Sequence, residues 1–430
     1  MAGMDERTER VLGALTEGRV VELAQGALRI PSLSGEERAV ATYFAAGMRD
    51  AGLEAELQDV PTSVHMGPSV NAIGRLRGTE PGPTLLFNGH IDHNPVCDGW
   101  SKDPFGGTIE DGWLYGFVHM KSANAAYVAA AEAVRRAGIL LAGNVIITHV
   151  CGELRGGAGT RHALRSGITA DYFVLGEPTE LEIGTRHTAS IVLDLHVRGQ
   201  MRHFSTPRTD GKAVNAIEKM ARVIAALGPS HRSAPARRDG GWLSFEPKAG
   251  FDGLPQFNIG GIQGGISTAY DRSRPALFPD LCSISLDIRI VPGMSQASIA
   301  QDLDRLLAGL KATDPELDWE IKFRNDTFPL PFDAADDSAV VRAVARAHRT
   351  VRGSAPQPAT YLKYAASDAS WMAAAGIPGV IYGPSGRYLS RPDERCAVKD
   401  IVDAARVYAC VIAALCDPAR PAGTPNEAAA

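Results

Sequence analysis

The apolar run Thr84-Leu85-Leu86-Phe87 leads straight into Asn88-Gly89-His90-Ile91-Asp92, and no other stretch constrains the fold as much. A run without polar alternation is the pattern of a strand buried on both faces, as in a parallel sheet covered by helices. Such sheets gather functional groups at the carboxyl ends of their strands. A His-x-Asp there offers an imidazole with a carboxylate two residues on, which reads either as a metal site or as an ordinary hydrogen-bonded couple.

The flanking segments continue the alternation. Strand-like runs at 71–76 and 84–88 are followed by an Ala-rich helical stretch, 122–137, closed by Gly138, and by a strand at 144–150. Ahead of them, 6–29 has helical periodicity, and Ser34-Gly35-Glu36-Glu37 reads as a capping arrangement opening a helix that runs to Ala51. From His187 the order changes to strand (190–197), helix (213–227), two strands (256–262 and 282–291), helix (296–310) and strand (319–323). That β-α-β-β-α-β order is the split βαβ sandwich. The fold expected is therefore α/β: an α/β/α domain with a mixed sheet, residues 1–186 and 327–417, carrying an inserted ferredoxin-like domain, 187–326. A Pro/Ala tail at 418–430 is expected to be disordered.

Composition excludes several partners. With 430 residues, 22% charged, and a formal net charge of -5, Lys and Arg are scattered and form no basic patch for nucleic acid. No apolar run approaches membrane-spanning length and the charged start has no h-region, so no membrane partner is expected and the protein is placed in the cytoplasm. The six cysteines, Cys97, Cys151, Cys282, Cys396, Cys410 and Cys416, are irregularly spaced and read as free thiols. A small molecule is the partner that remains.

Seven segments fall in a familiar order: "GHIDHNPV" from Gly89, "LYGFVHMKS" from Leu114, "CGELRGGAGT" from Cys151, "GEPT" from Gly176, "GQMRHFSTPRTDGKAVNAI" from Gly199, "SLDIRIVPG" from Ser285 and "IYGPSGRYLSRPDE" from Ile381. From Arg29 to Ile412 the chain thereby resembles the metal-dependent aminoacylase and carboxypeptidase family, which includes acetylornithine deacetylase and succinyl-diaminopimelate desuccinylase. The resemblance implies a catalytic domain for two divalent metals and an inserted lid that dimerises. It implies His90 and Glu177 as ligands of the first metal, with Asp92 orienting the His90 ring. Glu153 matches the general base that takes a proton from the attacking water and returns it to the leaving nitrogen. His203 matches a lid histidine that reaches across the dimer to polarise substrate, and Arg289 a lid arginine that grips a substrate carboxylate.

Departures from the family pattern narrow the expectation. The second metal of the family needs a bridging aspartate, a glutamate directly after the base and a histidine near the carboxyl end; here those positions read His119, Leu154 and Ser390. The eleven histidines end at His348, so none is left for the last position. With one cation a bridging carboxylate has nothing to bridge, and His119 can complete a His90, His119, Glu177 set for one divalent transition metal, manganese or zinc first, cobalt or iron as alternatives.

Other residues keep two readings. His187 and His93 are substrate contacts or plain unliganded histidines, and Tyr388 and Arg387 are a pocket wall or an ordinary loop. Arg289 is a substrate fork or an ion-paired face residue beside Asp287. Asp368 is an N-cap or a catalytic group. Asn215 is expected to fix the lid backbone, and Gly156, Gly157 and Gly159 to form a tight turn opening a helix at Thr160 rather than a phosphate cradle.

The reaction expected is metal-dependent hydrolysis of a C–N bond in a small aromatic or acyl carboxylate, by a homodimer or higher homo-oligomer. The leading expectation is hydrolytic deamination of 5-nitroanthranilate to 5-nitrosalicylate. Attack on that ring spreads negative charge into the nitro group and builds no local oxyanion for a second metal to stabilise. The alternative is an amidohydrolase, an N-acyl amino acid deacylase or carboxypeptidase. A third reading, a binding protein that has lost metal chemistry, is opposed by the retention of Glu153 with His90, Glu177 and His203.

Overall fold

The structure, a computed structural model, describes residues 5–61, 67–205, 213–229, 241–266, 275–324 and 327–418. Of the tail expected to be disordered, 419–430 lies outside the described residues. The chain divides into two compact units. The first comprises Met1–His187, Phe332–Leu362 and Ala366–Ala430, and the second Thr188–Pro331 with Lys363–Ala365. The insertion thus runs to Pro331 rather than to 326 and takes back a three-residue segment, for which periodicity carries no signal.

The first unit is built on a six-stranded mixed sheet in the order Glu54–Val60, Ser69–Arg77, Asn144–Val150, Leu85–His90, Tyr172–Leu175, Gly379–Ile381. The last four run parallel to one another, and the first two pairings are antiparallel. Leu85, Leu86, Phe87, Phe173, Val174 and Leu175 are buried on both faces, as the unbroken apolar runs demand. The crossover helix Lys121–Arg136 follows the His90 strand. Its buried alanines, among them Ala123, Ala126, Ala130 and Ala133, are small enough to let the equally buried helix Val398–Leu415 pack on it.

One local expectation fails here. Helix Arg38–Asp50 begins directly after Glu37, whose side chain makes no cap bond, and the Ser34 hydroxyl donates to Asp92 at 2.7 Å. Tertiary carboxylate contacts have displaced the local capping box, because both side chains find stronger, buried partners elsewhere.

In the second unit, strands Ala189–Arg198, Gln256–Gly265, Leu281–Ile290 and Asp318–Phe323 form an antiparallel sheet in the order 256–265, 281–290, 189–198, 318–323. Helices Ala216–Leu227 and Gln296–Thr313 complete the β-α-β-β-α-β arrangement. Period-2 alternation places Cys282, Ile284, Leu286, Ile288 and Ile290 in the core with Met220, Val223, Leu303 and Leu307 of the helices. Asn215 caps Ala216–Leu227, accepting the Ile217 and Glu218 amides at 3.0 and 3.3 Å.

Candidate metal centre

Strand order alone brings the key residues of the first unit together. Asn144–Val150, Leu85–His90 and Tyr172–Leu175 are neighbours, so Glu153, His90 and Glu177 emerge side by side at the carboxyl ends of parallel strands. His119 joins them from the turn before helix Lys121–Arg136. Its Nε2 lies 2.5 Å from Glu177 Oε2, and His90 Nε2 lies 4.0 Å from Glu177 Oε1. Ligand atoms of His90, His119 and Glu177 all fall within 4.8 Å of one another, and among the described residues they are the one group of this kind.

The donor set suits a divalent cation. His90 Nδ1 is 3.0 Å from the Asp92 carbonyl oxygen, which fixes the N–H there and leaves the Nε2 lone pair for a ligand. That buried Nε2 has no hydrogen-bond partner among the described residues, an orphan that costs about 1–3 kcal/mol unless a cation satisfies it. Burial disfavours the His90 imidazolium, but Asp92, Glu153 and Glu177 outweigh burial and push its pKa up to about 10. The carboxylates therefore call for positive charge at this point, from a proton or from a metal.

Asp92 faces His90 twice: the ring Nδ1 lies 3.0 Å from the Asp92 backbone carbonyl oxygen and 3.5 Å from its carboxylate. The carboxylate itself accepts the amides of Glu153 (3.0 Å) and Leu154 (3.1 Å) and so holds the turn that carries the candidate base. This turn, Glu153–Arg155, is framed by Gly152, Gly156 and Gly157 at φ 64, 73 and 71°, left-handed conformations open to glycine without strain. The following helix starts at Ala158, two residues ahead of the expected Thr160.

Burial raises the pKa of Glu153 well above the carboxylate range, with Glu177, Asp368 and Asp92 adding to the effect and His90 opposing it. Glu177 goes the other way: burial is outweighed by His119 and His90, which hold it below its ordinary value. Asp368 is no side-chain cap for helix Ala369–Ala374. It is buried, and burial pushes it up to about 7, with Thr160 beside it opposing the shift.

The three residues standing at positions that the family resemblance assigns to a second metal are engaged in other ways. His119 belongs to the trio, Leu154 supplies no donor, and the Ser390 hydroxyl accepts from Asn94 Nδ2 at 2.7 Å. Glu394, which sequence reading missed, joins two of these segments by accepting the His119 amide at 3.0 Å and the Ser390 amide at 2.8 Å. Lys121 was missed as well. It is fully buried, donates to the Ile30 carbonyl at 2.7 Å, and burial lowers it to about 7.

The candidate substrate residues belong to both units. In the first unit His187 is fully buried, 2.9 Å from the Ser367 hydroxyl and against Phe332, while Tyr388 is exposed beneath the guanidinium groups of Arg391 and Arg395. His93 stacks on Phe117, its Nε2 accepting the Ser32 amide at 2.9 Å and its Nδ1 lying 2.7 Å from the Asn94 carbonyl oxygen. Both ring nitrogens are engaged, so His93 is a packing residue rather than a substrate contact. In the second unit Arg289 pairs with Asp287 at 2.8 Å, and His203 is exposed with Nδ1 2.8 Å from the Ser205 hydroxyl. No helix among the described residues is long and apolar enough to cross a membrane.

Comparison with known proteins places this geometry in a family. The profile of peptidase family M20/M25/M40 matches residues 86–414. The chain is 30% identical over 412 residues to the succinyl-diaminopimelate desuccinylase of Cereibacter sphaeroides (strain ATCC 17025), covering 90% of this chain and 96% of that protein. It is 26% identical over 373 residues to the N-formyl-4-amino-5-aminomethyl-2-methylpyrimidine deformylase of Bacillus subtilis (strain 168), covering 80% and 83%. Among solved structures, aminopeptidase PepT from Bacillus cereus ATCC 10987 shares the fold with a TM-score of 0.71 at 20% identity, over 94% of this chain and 100% of that one. The chain belongs to peptidase family M20/M25/M40, a family of metal-dependent hydrolases of C–N bonds.

Proposed function

We propose that this enzyme hydrolyses a C–N bond of a small carboxylate-bearing molecule at a single-metal centre held by His90, His119 and Glu177. The observation that carries the reading is the trio itself, together with second-metal positions that have lost their donors. Two imidazoles and a carboxylate suit manganese or zinc, with cobalt and iron as alternatives. Such an ion supplies Lewis acidity and makes water at the site more acidic. Glu153, of raised proton affinity, accepts the proton of the attacking water and passes it to the leaving nitrogen. Asp92 holds the turn from which Glu153 projects. His203 and Arg289 are assigned to substrate on the family pattern, as are His187 and Tyr388 on their positions.

Amide cleavage is the first reading of the reaction, because the relatives at 30% and 26% identity are a desuccinylase and a deformylase. A substrate of the N-acyl amino acid class follows. Deamination of 5-nitroanthranilate is retained as the second reading on one specific observation. Leu154 and Ser390, the latter hydrogen-bonded to Asn94, replace donors that the family resemblance assigns to a second cation, and charge delocalised into a nitro-bearing ring needs the help of such a cation less.

A lid dimer is part of the proposal. Gln256–Gly265 is an edge strand with Ile262 61% exposed, and Ile217 beside it is 45% exposed, an apolar edge suited to pairing with a second copy.

The deciding experiment offers manganese- or zinc-loaded protein N-formyl and N-succinyl amino acids in parallel with 5-nitroanthranilate, following amine or ammonia release and absorbance. Turnover of the acyl substrates alone is expected on the first reading. Turnover of the arylamine alone replaces it with the second, and no turnover of either at verified metal content counts against both.

A further inference from the structure

Three consecutive amides at the start of the Glu153 turn donate to carboxylates distant in sequence. Gly152 N–H reaches Glu37 Oε1 at 3.0 Å, Glu153 N–H reaches Asp92 Oδ1 at 3.0 Å, and Leu154 N–H reaches Asp92 Oδ2 at 3.1 Å. These are the donors that a helical turn leaves without internal partners. Glu37 is itself fixed: its Oε2 accepts the Gly35 amide at 2.8 Å and the hydroxyl of Ser69. Asp92 is steadied by the Ser34 hydroxyl. At the far end of the turn the Gly156 carbonyl accepts Trp371 Nε1 at 3.0 Å.

This is a costly way to satisfy three amides. Glu37 and Asp92 are both fully buried and repel each other, and burial with that repulsion pushes Glu37 up to about 7. A neutral acceptor would satisfy Gly152 without burying a charge. Charge-assisted hydrogen bonds are roughly twice as strong as neutral ones, so the arrangement gains rigidity at the one turn that carries the base.

We propose that Glu37 is a positioning residue for Glu153, fixing the base turn through the Gly152 amide while Asp92 fixes the next two. The proposal rests on the reading of Glu153 as the proton carrier. Glu37 is not one of the candidate metal trio; it acts through the backbone of the Glu153 turn.

The test uses the full-length, metal-loaded protein. In Glu37→Ala, amides 152–154 are expected to exchange with deuterium at least about tenfold faster, with the rest of the chain within about twofold. Unchanged protection there overturns the proposal, whatever the substrate is. In Glu37→Gln the side-chain NH₂ must face either the Gly152 or the Gly35 amide, donor against donor. With whichever of the acyl or arylamine probes is turned over, kcat is expected to fall between about tenfold and a hundredfold while KM and metal content stay within about twofold. Added to Glu153→Gln, the same change is expected to have no further effect on kcat. Full kcat in Glu37→Gln, or an equal loss on the Glu153→Gln background, overturns the proposal. Normal turnover of Glu153→Gln alone would instead sink the reading of Glu153, and amide exchange still decides whether the clamp exists. Should Glu37→Ala fail to fold, Ser69→Ala, which frees one side of Glu37, is expected to give smaller changes of the same sign; none in exchange or kcat overturns the proposal.

Discussion

His119 Nε2 lies 2.5 Å from Glu177 Oε2, so an imidazole stands in contact with the candidate ligand carboxylate at the position where the family resemblance expects a bridging aspartate. A neutral donor there lowers the negative charge of the site by one relative to a carboxylate. It suits one cation and gives a second nothing to share.

One metal per chain is therefore expected, measured as one equivalent by elemental analysis of active protein. Because a proton held at His90 up to about pH 10 competes with the ion, affinity should fall as pH falls, and dialysis against chelator should strip the metal faster at pH 6 than at pH 8. Two equivalents, or pH-independent loss, would refute this.

Glu153→Gln keeps the size of the side chain and removes its ability to accept a proton. Turnover should drop at least about a hundredfold with folding and metal content retained. Near-normal kcat would mean that another group carries the proton.

Asp368 supplies the pH test of stability. Its pKa is raised from 3.8 to about 7 in the folded protein, so its contribution is fully present below about pH 3.8 and is lost as pH rises through about 7. In metal-free protein, Asp368→Asn should thus gain stability over wild type between pH 4 and pH 8, by about 2 kcal/mol or more, since a tenfold difference in proton affinity between folded and unfolded chain is worth about 1.4 kcal/mol. Denaturant unfolding that shows the same difference at both pH values would contradict the assignment.

The lid edge offers a test of assembly. Ile262→Lys places a charge on the exposed edge strand and should shift the protein from dimer to monomer in sedimentation. If His203 serves the partner's site, mixing Glu153→Gln with His203→Ala chains should restore part of the activity. No recovery after verified subunit exchange would argue against sharing.

The sequence by itself determined the elements whose information is local. The apolar run at 84–88 announced a buried strand ending at His90, the Ala-rich stretch announced the helix Lys121–Arg136, and period-2 alternation announced Leu281–Ile290. The motif order likewise pointed to His90, His119 and Glu177, which the structure brings within 4.8 Å.

Only the tertiary structure decided how the polar groups around them are spent. Glu37 looked like part of a helix cap, yet it holds an amide 115 residues away, and the Asp92 carboxylate, besides facing the ring of His90, accepts two amides of the turn that carries Glu153. Asp368 read as a cap or a catalytic group and is a buried carboxyl that makes no cap bond. The physical reason is common to all three. Periodicity and capping signals report on neighbours within a few residues, whereas the partner of a buried carboxylate is set by which strands lie side by side, and burial then fixes its proton affinity.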